Sequence, residues 1–215
     1  MDKRKERVYN NIIFYRGGAC VFRLYLTAVD IIPAAMVLLP LFGILYCTVY
    51  KHNFRKCMLN CLFCLYLAAV FSLVGIPNVT YFRPEVNLNM IPFLGIMDDL
   101  KNSVLNVLLF APLGVFLPVL WDQFRNPIRA VSFGLGFSLM IELLQMLTFR
   151  TTDVNDLITN TLGTMLGFLL ANLLRLKIPA AETGNREVYL LTALSFLVMF
   201  FVHPFLSPMI WDRIL

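Results

Sequence analysis

Charge is the scarcest commodity in this sequence. Asp, Glu, Lys and Arg make up only 14% of 215 residues, where a soluble domain carries about a quarter. A water-soluble globule is therefore a poor fit. Histidine is nearly absent too: His52 and His203 are the two present, too few to complete a metal site with the cysteines. No Ser-His or Cys-His arrangement is visible, which argues against a covalent serine or cysteine hydrolase. The two halves show no internal repeat of the kind many transporters are built on. Of the five cysteines, Cys20, Cys47, Cys57, Cys61 and Cys64, the last three recur at helical spacing on one apolar face. They read as small buried residues in a helix interface, and no disulfide or metal role is assigned.

What fills the space is apolar: 59% of the residues are hydrophobic and mean hydropathy is +0.75. Six apolar stretches stand out, at 31–50, 57–76, 103–121, 130–149, 157–174 and 188–206. Most have close to the ~20 residues an α-helix needs to cross ~30 Å of hydrocarbon. The expected fold is all-α: a polytopic α-helical membrane protein with about six transmembrane helices in one bundle. Pro33, Pro40, Pro112 and Pro118 fall in or beside these spans, which membrane helices tolerate when neighbours satisfy the freed carbonyls. Residues 1–27, with Lys3, Arg4, Lys5, Arg7, Arg16 and Arg23, read as a basic interfacial segment. No signal-peptide core or cleavage site is apparent. The transmembrane domain is then 28–215.

The net charge of +5 does not point to nucleic acid, because the Lys and Arg residues sit between apolar runs, where topogenic charge belongs. Loops 51–56, 122–129 and 175–187 carry Lys51, Arg55, Lys56, Arg125, Arg129, Arg175, Lys177 and Arg186, which favours that side as cytoplasmic. The basic N-terminus argues the opposite. Either the rule is broken or span 31–50 does not cross fully. Residues 77–102 form the longest connection between spans and mix aromatic, Asn, Pro and acidic residues; they fit a functional loop and equally a passive cap.

Within the six spans as drawn, Glu142 is the only charged residue. Lipid makes an exposed ion costly, so Glu142 is expected to face the bundle interior and either meet a partner or be protonated. Gln145 shares its face one turn on. If the helix runs to Phe149, Glu142 lies about 10 Å below its end. Asp153 and Asp156 follow, either as an N-cap with its N3 partner or as acid, base or oxygen ligands. Asn160 lies on the first turn of the next span, and Gly163-x-x-x-Gly167 permits close helix approach. Asn106 enters the same leaflet. Arg150 reads as a bidentate phosphate partner or an interfacial anchor. Polar groups from three helices and two loops thus meet in one half of the membrane.

The pattern Asn89-x-x-Pro92-Phe93, Asn106-x-x-x-Phe110-x-Pro112-x-Gly114, Glu142-x-x-Gln145 and Arg150-x-x-Asp153-x-x-Asp156-x-x-x-Asn160-x-x-Gly163-x-x-x-Gly167 resembles the VanZ-like family, over roughly residues 35–205. The resemblance implies a bacterial cytoplasmic-membrane protein, in a family whose founding member is associated with resistance to the glycopeptide teicoplanin. It does not supply a biochemical activity. The candidate site is accordingly Glu142, Asp153 and Asp156 as acid or base, with Asn89, Asn106, Gln145, Arg150 and Asn160 as binding residues. No cofactor is expected, apart from a divalent cation that the acidic cluster has the oxygens to hold. The expected ligand is a lipid-linked envelope precursor. A proton-coupled transporter or flippase using Glu142, and a non-catalytic shielding or partner subunit, are the competing readings.

Overall fold

The computed structural model describes residues 19–50, 53–80, 87–89, 100–148, 151–174 and 186–214, with only the backbone described for 19–26, 28, 87–89, 151–152 and 211–214. The helices are α1 (Ala19–Thr48), α2 (Phe54–Val74), α3 (Leu100–Leu120), α4 (Pro127–Gln145), α5 (Val154–Leu173), α6 (Glu187–Leu197) and α7 (His203–Ile214), the last two joined by a π-helical turn at Val198–Val202. Two three-residue strands, β1 (Asn87–Asn89) and β2 (Thr151–Asp153), and a 3-10 turn at Asp122–Arg125 are the other regular elements among the described residues. The protein is a polytopic all-α membrane protein. Residues 1–18 of the expected interfacial segment lie outside the described residues, and α1 begins at Ala19.

Among the described residues, five helices are long and apolar enough to cross a membrane: Val29–Thr48, Phe54–Val74, Leu100–Leu120, Pro127–Gln145 and Glu187–Ile210. The first is 20 residues long, so a short first helix does not account for the charge conflict. The remaining expected span is α5, which has 20 residues but a polar side. Its Asn155, Thr159, Asn160 and Thr164 are buried while Leu162, Met165, Leu166, Leu169 and Leu173 face outward. Averaging over both faces hides a helix whose lipid side is as apolar as its neighbours'.

Capping marks the turns. Asn53 accepts from the Lys56 amide, and Asn126 accepts from Ile128 and Arg129 ahead of α4, whose first residue is Pro127; both satisfy amides that a helix start leaves bare. Gly75 ends α2 at φ 65°, the left-handed conformation open to glycine.

The most extensive helix contact is α3 against α5. It exists because glycines remove the side chains that would separate them. A Cβ at Gly114 would overlap the Thr164 carbonyl, one at Gly163 that of Val107, and one at Gly167 that of Ala111. In the absence of water, such close backbone approach is a main source of helix association. The Gly163-x-x-x-Gly167 face thus meets α3, leaving the Asn160 face for α4.

Aromatic side chains fill the middle of the bundle. Phe71, Phe110 and Phe137, from α2, α3 and α4, meet with centroids 5.7 and 5.9 Å apart. Phe63 packs edge-on against Trp121 at 5.0 Å. Cys57, Cys61 and Cys64 are buried within this packing, and Cys57 donates to the Phe42 carbonyl, as expected of small interface residues.

Pro204 in α7 has no N–H to offer the carbonyl one turn back. That carbonyl, Phe200 O, instead accepts from the Val79 amide at 3.2 Å. The π-turn sits where the helix absorbs the proline, and it ties the start of the 77–102 loop to the last span.

Candidate functional site

The site assembles where α4 ends and α5 begins. Glu142 is 3% exposed, and its Oε2 accepts from the Asp153 backbone amide at 3.1 Å. A carboxylate receiving a main-chain N–H is a charge-assisted bond, and here it fixes the connector that launches α5. Asp153 is the N-cap of α5, its Oδ1 accepting from the Asn155 amide at 2.8 Å. Asp156, at N3, is used across the helix interface: its Oδ1 accepts from Asn106 Nδ2 at 2.7 Å. Gln145 donates to the Val74 carbonyl at 2.8 Å, tying α4 to the end of α2. Asn160 donates to Ser138 Oγ at 2.9 Å, a serine that carries no signal in an apolar stretch.

Glu142, Gln145, Asp153, Asp156, Asn106 and Asn160 are thus brought to one end of the bundle. Two points of geometry are corrected. Helix α4 stops at Gln145, so Glu142 stands one turn from its end rather than about 10 Å inside. The stop is enforced because Gln145 and Thr148 turn to the end of α2, Thr148 Oγ1 lying 3.5 Å from the Gly75 carbonyl. The second is where the spans end: Glu142 is the only charge within them as drawn, but Asp30 and Glu187, each one residue beyond, also lie inside helices.

Asp30 accepts from Ser72 at 3.0 Å and Ser207 at 3.4 Å, with His203 Nε2 3.4 Å away, in the same half of the membrane as Glu142. Glu187 lies in the other half. It accepts from Asn60 at 2.9 Å and Trp121 at 3.3 Å, and pairs with Lys56 at 3.5 Å. Both knot helices together at the two membrane boundaries.

The long loop reaches the site through its backbone. β1 pairs in parallel with β2, placing Asn87 beside Thr151, Leu88 beside Thr152 and Asn89 beside Asp153. Asn89 is therefore held at the connector by the main chain. Arg150 lies outside the described residues. Among the described residues, no three His, Cys, Asp or Glu side chains group closely enough to hold a metal ion, and the placement of Glu142 and Asp156 on separate donors lends no support to a cation between them.

One polar atom in this cluster is orphaned. Asn160 is 3% exposed, yet its Oδ1 has no donor among the described residues. Buried amide oxygens are almost always paired.

The VanZ/LLP1 family profile matches residues 63–175, more than half of the chain. The chain belongs to the VanZ/LLP1 family. The match contains every residue of the spaced motif from Asn89 to Gly167. A curated relative, protein VanZ of Enterococcus faecium, is 33% identical over 88 residues, covering 40% of this chain and 53% of the relative. The chain thus spans about half the length of that relative. No solved structure matches. For this VanZ-family chain, the helices carrying the polar cluster, α3 to α5, are also the ones within the family match.

Proposed function

We propose that this VanZ-family protein binds a lipid-linked, phosphate- or sugar-bearing envelope precursor at the mouth formed by α3, α4, α5 and the 77–102 loop, in the outer leaflet of a bacterial cytoplasmic membrane. The orphaned Asn160 Oδ1 carries the reading. A buried acceptor without a donor is costly, and a sugar hydroxyl supplies one. Glu142 and Asp153 hold the connector in shape, the Asn106–Asp156 pair closes the α3 side, and the Asn87–Asn89 strand borders the mouth. Arg150 provides the planar fork that suits a phosphate. The proposal is one of binding: Glu142 and Asp156 each give an oxygen to a structural hydrogen bond.

A proton-coupled flippase needs a path between the leaflets. The buried Phe71, Phe110 and Phe137 cluster lies between the Glu142 and Glu187 groups, which favours a site confined to one side. The family resemblance suggests the readout: the chain is expressed in a teicoplanin-sensitive host and susceptibility is measured at matched protein levels. Protection that is lost on Asn160→Ala and Asp156→Asn supports the reading. Full protection by both variants, or none by the unaltered chain, counts against it.

A further inference from the structure

A second feature opens at the other end of α4 from the Glu142 cluster and runs along a different face of that helix. A groove of about 470 Å³ runs between α4 and α6, within the ~300–1,000 Å³ range of small-molecule sites. One wall is a stripe of α4 containing Arg129, Phe133, Gly136 and Met140, and the other carries Tyr189 and Thr192. The stripe follows helical spacing. The 12 residues from Arg129 to Met140 span about 16 Å, close to the hydrocarbon depth of one leaflet.

Its two ends differ chemically. At the membrane boundary stands Arg129, exposed, with no ion-pair partner among the described residues. Its neighbour Arg125 is taken by Asp122 at 2.7 Å. The deep end is aromatic and aliphatic. The floor is open at Gly136, where a Cβ would meet nothing within 4 Å.

We propose that this groove holds one anionic phospholipid of the leaflet on the 122–129 side. Its acyl chain lies along the Gly136 floor and its phosphate meets the Arg129 guanidinium. A cation at the boundary and an apolar slot one leaflet deep match that ligand and no soluble one. A basic residue near an anionic membrane surface favours such lipids by about fivefold.

The test reconstitutes the full chain in nanodiscs of equal phosphatidylglycerol and phosphatidylcholine with identical acyl chains, then counts retained lipids by native mass spectrometry. The unaltered protein is expected to retain one phosphatidylglycerol in severalfold excess over phosphatidylcholine. Gly136→Leu places its Cβ where no protein atom lies within 4 Å and extends its side chain into the groove, so the fold survives while the retained lipid is lost. Arg129→Gln keeps a lipid but abolishes the preference. Gly43→Leu, equally unobstructed but on α1, leaves retention unchanged. Equal retention of both lipids by the unaltered protein, or indifference to Gly136→Leu, overturns the proposal. A lipid-free dimer, with a second copy of the chain in the groove, does so too.

Discussion

Replacing Gly163 by alanine tests the α3–α5 packing and the site together. The added Cβ would collide with the Val107 carbonyl, which is backbone and cannot rotate aside. The helices must separate by roughly 1 Å or more, and such overpacking costs about 1–3 kcal/mol. Val107 follows Asn106, whose amide reaches Asp156 at 2.7 Å. Parting the helices stretches that bond, and a hydrogen bond to a charged group is worth about 1.5–3 kcal/mol. The expected loss is therefore about 2.5–6 kcal/mol. It is read from reversible denaturation in mixed micelles, alongside Gly136→Ala, where no atom lies within 4 Å. That control is expected to be neutral or to gain the ~0.5–1 kcal/mol that alanine holds over glycine in a helix. If Gly163→Ala and Gly136→Ala denature alike, the backbone contact does not hold these helices together and the reasoning fails.

Glu142→Gln keeps an oxygen for the Asp153 amide and is expected to cost about 1 kcal/mol, against about 1.5–3 for Glu142→Ala; equal losses in the same denaturation assay would show that the bond to Asp153 is not what Glu142 supplies. Glu187→Ala removes the acceptor of Asn60 and Trp121. In a Trp211→Phe background its emission is expected to shift to the red as Trp121 meets water, and an unshifted spectrum refutes that role. Pro204→Ala restores an N–H that competes with Val79 for the Phe200 carbonyl, so the Val79 amide is expected to exchange with deuterium severalfold faster. Ser138→Ala strips the acceptor from Asn160 Nδ2 and is expected to cost about 1–3 kcal/mol of stability.

The helices were legible because lipid imposes a simple demand: long apolar runs have no other stable form. Asn106, Asp153, Asp156 and Asn160 were legible because polar groups in such runs need a reason. The partners were less so. Asp30 and Glu187 each lay a single residue past a span boundary, and helix ends drawn from hydropathy are good only to a few residues. Gln145 marked the end of α4, yet Met146 to Phe149 are apolar enough to read as more helix, and only the contacts of Gln145 and Thr148 with the end of α2 stop it there. The glycine pattern announced close packing but not against which helix. That depends on Val107 and Ala111 presenting bare backbone, which has no sequence signature of its own.

The ladder between Asn87–Asn89 and Thr151–Asp153 has a consequence for how such a protein can diversify. It holds the Asn87–Asn89 segment to the connector through peptide groups, and every residue but proline brings the same N–H and C=O. Positions 87 and 89 are therefore free to exchange side chains without the loop losing its station. Under the proposed reading, a lineage can revise what the mouth recognises by point changes at those positions while the scaffold beneath stays as it is.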